Sequence, residues 1–192
     1  KGQFWSMVHF DKDDAFKFGT KEKESFGGEY AGLTIIDNAG SGATAVDDGT
    51  GGKNITIPNA GWYIVYIKAT VKSGKYVFEL SINPGEVYLI GKTTDGIWDF
   101  SDAWKFTPDD AGNLVSPAMA ASGEVRMAAK IGSEALWWQL EFTLQDGKTI
   151  FYREGNNIAD SWATDKGDTY SVQGSAGKKM YLNFMTGTGS MK

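Results

Sequence analysis

The stretch "GWYIVYIKATVKSGKYVFELSINPGEVYLIGKTTDG", residues 61–96, decides the fold. It is rich in β-branched and aromatic residues, and its first two runs meet at Lys72-Ser73-Gly74-Lys75, a junction that closes a hairpin. In the second run Tyr76, Phe78, Leu80 and Ile82 share one face, with Val77, Glu79 and Ser81 on the other. That alternation is the period-two pattern of a half-buried strand. Asn83-Pro84-Gly85 then reads as a turn, since proline cannot continue a central ladder and glycine accommodates a reversal. A third strand, "EVYLIG", follows, and the turn between them is taken as a domain boundary.

Composition agrees with this reading. The chain has 192 residues, 25 of them glycine, with 7 Trp, 8 Tyr and 11 Phe, and few periodic runs of good helix formers. Short strands joined by tight turns account for both excesses, so the class is all-β. The net charge of −5 leaves no basic field for nucleic acid or an anionic membrane surface, whose binding depends on clustered Lys and Arg. No apolar run approaches the roughly 18 residues of a membrane span. The absence of cysteine removes disulfides, thiol catalysis and thiolate metal sites. The single histidine, His9, sits in the alternating strand "WSMVHF" and reads as structural. The chain opens at Lys1 with neither a start methionine nor a signal peptide, as a piece of a longer, processed protein would.

The segments on either side of the boundary repeat one another. Before it come "FWSMVHF", "AFKFGTKEKESFGGEY" and "NITIPNAGWYIVYI"; after it, "LWWQLEF" and "TIFYREGNNIADSWATDKGDTYSVQGSAGKKMYLNF". Each has an aromatic strand, a second aromatic strand with a basic residue, a polar loop holding one aromatic, a strand ending in Ala-Gly, and a final strand. The second copy carries an extra leading block, residues 86–131, so the first is expected to lack its opening strands. The two modules are 1–84 and 85–192; the alternative is one large sandwich. Residues 37–53, "DNAGSGATAVDDGTGGK", read as a surface loop without apolar pattern.

Candidate chemistry narrows quickly. The 24 acidic residues fall mostly in turns, and no pair stands out as a glycosidase apparatus, so no catalytic residue is assigned and the chain is not expected to be an enzyme. "DKDDAF" and "DNAGSGATAVDDG" lack the regular spacing of a calcium loop, so neither metal nor cofactor is expected. Aromatics are the informative class. A sugar ring stacks its C–H face on an indole while planar donors such as Arg and Asn read its hydroxyls. In "LWWQLEF" Leu136, Trp138, Leu140 and Phe142 fall on one face, and Trp137, Gln139 and Glu141 on the other. Two readings of Trp137 stand open: the segment "KTTDGIWDFSDAWKF" covers it, or it extends a wet surface. Trp162, in the polar loop "NNIADSWATDKGD", either plugs one end of the sandwich or lies open as a platform, and Trp98 in "TTDGIWDF" shares that ambiguity.

Taken together, "VYLIG" with "GIWDF", "SGEVRMAAK", "WWQLEF", "GKTIFYREGNN" and "AGKKMYLNFMTGTG" resemble the SusE/SusF group of glycan-binding surface lipoproteins of gut Bacteroidetes. The resemblance implies tandem Ig-like, CBM-like β-sandwich modules that hold polysaccharide or oligosaccharide without cleaving it. It also implies a place at the cell surface, on an outer membrane reached only through an N-terminal lipid anchor absent from this chain, beside other glycan-uptake proteins. Carried over by position, Trp162 matches the loop tryptophan, Arg153 the base after the aromatic strand and Trp98 the tryptophan after "YLIG"; Asn156 and Asn157 would supply amides. Phe26 stands at the loop tryptophan's place in the first copy and Gly19 at that of Arg153, so binding is expected in the second module. The rival reading is a structural or protein-docking module of an outer-membrane complex.

Overall fold

The computed structural model describes residues 2–21, 24–49, 52–132, 137, 140–152 and 172–192. These form two compact units, Lys1–Gly85 and Glu86–Lys192. Among the described residues the regular secondary structure is strand apart from short 3₁₀ turns such as Lys92–Thr94 and Asp102–Trp104, so the all-β expectation holds.

Unit 1 contains nine strands among the described residues: β1 (Gly2–Phe10), β2 (Asp14–Phe16), β3 (Phe18–Lys21), β4 (Glu24–Phe26), β5 (Leu33–Asp37), β6 (Thr44–Asp47), β7 (Lys53–Ile57), β8 (Gly61–Lys72) and β9 (Lys75–Pro84). β8 and β9 make the predicted hairpin, paired from Tyr63 with Pro84 to Lys72 with Lys75. Ser73 and Gly74 both have positive φ, 50° and 75°, as a two-residue hairpin turn matched to strand twist requires. One sheet runs β1-β8-β9-β5 and another β2-β7-β6. Between them Ile55 and Ile57 of β7 meet Tyr63 and Val65 of β8, Leu80 and Ile82 of β9 and Phe10 of β1, a sandwich core.

Two local expectations change. Asn83 and Pro84 still belong to β9, and Tyr76 is exposed, so the apolar face of that strand sinks into the core only from Leu80 onward. The stretch read as a patternless loop holds β6, every residue of it exposed, which pairs with β7 through backbone hydrogen bonds. An edge strand without a buried face leaves no periodic trace in the sequence.

Unit 2 contains β10 (Val87–Ile90), β11 (Thr107–Pro108), β12 (Leu114–Val115), β13 (Gly123–Glu124), β14 (Arg126–Ala129), β15 (Glu141–Gln145), β16 (Thr149–Tyr152), β17 (Gln173–Gly174), β18 (Met180–Asn183) and β19 (Thr188–Met191). Eight of them form one sheet in the order β10-β14-β15-β16-β19-β18-β12-β11. The sheet folds back on itself. Tyr88 of β10 bridges Lys105, and the Phe106 amide donates to the Val87 carbonyl at 2.9 Å, which brings the residues just before β11 to the edge of β10. The ring of Phe142 on β15 meets Phe184, just past β18, edge to face at 5.3 Å across the core. Closure of this kind removes an exposed ladder edge.

Candidate functional site

The register of unit 2 sorts its side chains into two layers. Ile90 pairs with Arg126, Tyr88 with Ala128, and Ala128 with Glu141, so these residues share one face of the sheet; Met127 and Phe142 lie on the other, in the core. On β15 Glu141 and Thr143 are as fully buried as Phe142 and Leu144. The side read from sequence as polar is therefore covered, and the cover is the segment after β10. Phe100 packs on Tyr88 with ring centroids 5.0 Å apart, and Trp98 packs on Trp137 at 5.6 Å with a 41° tilt. Of the two readings of Trp137, the structure selects neither in full: the indole is half buried, capped on one side by Trp98.

Trp98 is held by a tight loop. The Gly91 amide donates to the Ile97 carbonyl at 2.6 Å, the Gly96 amide to the Gly91 carbonyl at 3.0 Å, and the Thr94 hydroxyl lies 2.8 Å from that same carbonyl. Gly91 has φ 82° and ψ −134°, a conformation closed to L side chains, and the six-membered ring of Trp98 lies over it. A Cβ at that position would stand 2.9 Å from the ring. The indole crosses the Cα at a distance only glycine permits, yet it keeps 43% of its surface exposed.

Below the pair runs a charged floor. The Arg126 guanidinium makes a two-pronged contact with the Glu141 carboxylate, Nε to Oε1 and Nη2 to Oε2, the second at 3.0 Å. Its Cζ stands 5.4 Å from the Trp98 ring centroid and 5.7 Å from that of Trp137, within cation–π reach of both. Sequence reasoning missed this pair, although a signal was present. Arg126 is flanked by Val125 and Met127, and Glu141 by Leu140 and Phe142; charges set among apolar neighbours in two strands call for one another. Beside it Tyr88 donates to Glu86 at 3.0 Å, and Glu86 is also bonded to Lys105. Burial and the Glu86 carboxylate push the Tyr88 phenol well above its ordinary range, so it stays a neutral donor.

Of the predicted site residues, the structure brings Trp98 and Trp137 together. Trp162, Arg153, Asn156 and Asn157 lie outside the described residues. In unit 1 the counterparts of the loop aromatic pack among themselves: Phe26 stacks on Phe18 and on Phe78, at 5.5 and 4.9 Å, and Tyr30 leans on both Phe26 and Phe78. Lys17, the basic residue of that copy, is bonded to Asp48 at 2.7 Å, and this hydrogen bond raises its pKa. A cavity of about 510 Å³ beside the cluster is lined mainly by apolar side chains, among them Phe4, Trp5, Phe18, Phe26 and Val65. It offers few groups to read hydroxyls.

Comparison with known proteins places the chain. A family described as SusF/SusE starch-specific CBMs matches residues 1–77 and 86–190. The outer membrane protein SusF of Bacteroides thetaiotaomicron is 32% identical over 198 residues, which takes in 100% of this chain and 37% of that protein. The crystal structure of SusF from the same organism matches with a TM-score of 0.69 at 32% identity, over 100% of this chain and 40% of the solved one. The chain thus spans well under half the length of that relative. Two matched stretches, full coverage of this chain and a shared β architecture bear out the resemblance carried by the strand motifs: the chain belongs to the SusF/SusE family of starch-specific carbohydrate-binding modules.

Proposed function

We propose that this protein is a non-catalytic glycan-binding protein of the cell surface, which holds an α-glucan such as starch for a polysaccharide-uptake system. The observation that carries the reading is Trp98: an indole nearly half exposed, seated on a glycine and on a buried guanidinium, and paired with a second indole. A large apolar ring left wet and held in place suits a sugar face, which offers C–H groups to the ring and hydroxyls to its surroundings. Because Trp137 is tilted by 41° from Trp98, the pair forms an angled platform, better matched to successive residues of a curved glucan than of a flat one. Trp162 supplies a further stacking surface, with Arg153, Asn156 and Asn157 as hydroxyl-reading groups. Unit 2 is the binding module, since in unit 1 Phe26 and Tyr30, at the place of the loop aromatic, pack on Phe78 and Lys17 is bonded to Asp48.

A shallow site of this size binds in roughly the millimolar to micromolar range, and neighbouring modules gain by avidity. The relative's printed name supports an outer-membrane location, and the family resemblance adds a lipid anchor and assembly with other glycan-uptake proteins to the proposal. Affinity gel electrophoresis against soluble starch, pullulan, dextran and a β-glucan tests the reading. Retardation is expected in the α-glucan gels, to be lost in Trp98→Ala and weakened in Trp162→Ala. Unchanged retardation in both variants would leave a protein-docking module as the better reading, and sustained release of reducing ends by pure protein would replace it with an enzyme.

A further inference from the structure

Beneath the wet face of Trp98 lies a charged pair with almost no access to solvent. Arg126 is 3% exposed and Glu141 0%. They sit diagonally on adjacent strands, since Ala128 is the residue directly opposite Glu141. The two-pronged contact fixes the plane of the guanidinium as well as its position. That plane stands within 5.7 Å of both indole centroids, whereas the two indoles come from segments nearly forty residues apart in the chain. A buried ion pair is a weak source of stability, because desolvation consumes most of its attraction, and an apolar pair of similar volume commonly serves as well. Its use here is geometric.

We propose that Arg126 and Glu141 are a positioning pair: the carboxylate orients the guanidinium, and the guanidinium sets the angle between Trp98 and Trp137, so that the platform exists before any glycan arrives. The inference rests on the reading of Trp98 as a sugar-stacking residue. A preset platform loses less conformational freedom when ligand docks, which matters most at a shallow site with few contacts. Lysine cannot substitute, since an ammonium is a point charge without a plane to stack or a fork to be oriented.

The test needs variants that fold. Arg126→Met combined with Glu141→Leu leaves no lone buried charge, and Arg126→Lys retains the charge alone. Two indoles 5.6 Å apart at a 41° tilt couple as an exciton pair, giving a circular-dichroism couplet assigned by its disappearance in Trp98→Phe and in Trp137→Phe. The double variant is expected to unfold cooperatively like the parent, to lose most of the couplet, and to bind soluble starch roughly three- to tenfold more weakly, the scale of lost cation–π contacts. Arg126→Lys is expected to leave the couplet unrestored, and it carries the test should the double variant fail to fold. A couplet of full amplitude in either folded variant would overturn the proposal. A couplet lost while Trp98→Ala leaves starch retention untouched would uphold the positioning pair and remove the binding role from Trp98.

Discussion

Replacing Gly91 by alanine tests whether the loop after β10 exists to seat Trp98. The backbone at Gly91, φ 82° and ψ −134°, costs an L residue about 1–3 kcal/mol. The new methyl would also lie 2.9 Å from the Trp98 ring, with two further ring carbons at 3.1 Å, so the indole must swing away. Swinging forfeits its contact with Arg126, about 0.5–2 kcal/mol, and with Trp137, about 0.5–1.5 kcal/mol. The sum is about 2–6.5 kcal/mol, a large share of a domain's stability. Gly96→Ala supplies the control: its φ of 81° imposes backbone strain of about 1–2 kcal/mol, but a Cβ there meets nothing within 4 Å. Urea unfolding read by near-ultraviolet dichroism, together with migration through starch-containing gels, compares the two. Gly91→Ala should be the less stable by at least 1 kcal/mol and should migrate unretarded, whereas Gly96→Ala keeps its retardation. Equal stability losses and equal retardation would refute the idea that this glycine serves the indole.

Two further expectations concern unit 1. Leu80, fully buried against Ile55, Ile57 and Val65, should cost about 2–5 kcal/mol when cut to alanine; a loss under 1 kcal/mol in urea titration would mean the sandwich core is loosely packed. Burial alone would raise the pKa of Asp37, but amides of Ser41, Gly42 and Ala39 donating at 2.8–3.1 Å outweigh it and hold the carboxylate below its ordinary value. A depressed folded-state pKa contributes stability above the ordinary carboxylate value and loses it as pH falls through the folded value. Asp37→Asn should therefore be less stable at neutral pH and decline less steeply on acidification. Parallel declines for parent and variant would show that the amide cradle contributes nothing.

The second face of β15 shows where reading the chain alone stopped. Alternation in "LWWQLEF" correctly grouped Leu140 with Phe142 as core, yet Trp137 lies in a 3₁₀ turn ahead of β15, and Glu141, read as part of a polar face, is fully buried. Periodicity reports which residues of a strand share a side; whether that side is wet depends on what lies over it, here a loop from nearly forty residues upstream. β6 escaped notice for the converse reason, since an exposed edge strand has no buried side to imprint a pattern.

Sequence by itself determined the all-β class, the β8–β9 hairpin and the family, because these rest on local alternation, turn chemistry and short strand motifs. It also singled out Trp98 and Trp137 as aromatics worth explaining. Only the tertiary structure decided that the two indoles meet, that Arg126 and Glu141 form their floor, and that Gly91 yields its surface to a ring. Those contacts join residues far apart in the chain, and long-range pairing follows from sheet register and closure, which no window of neighbouring residues encodes.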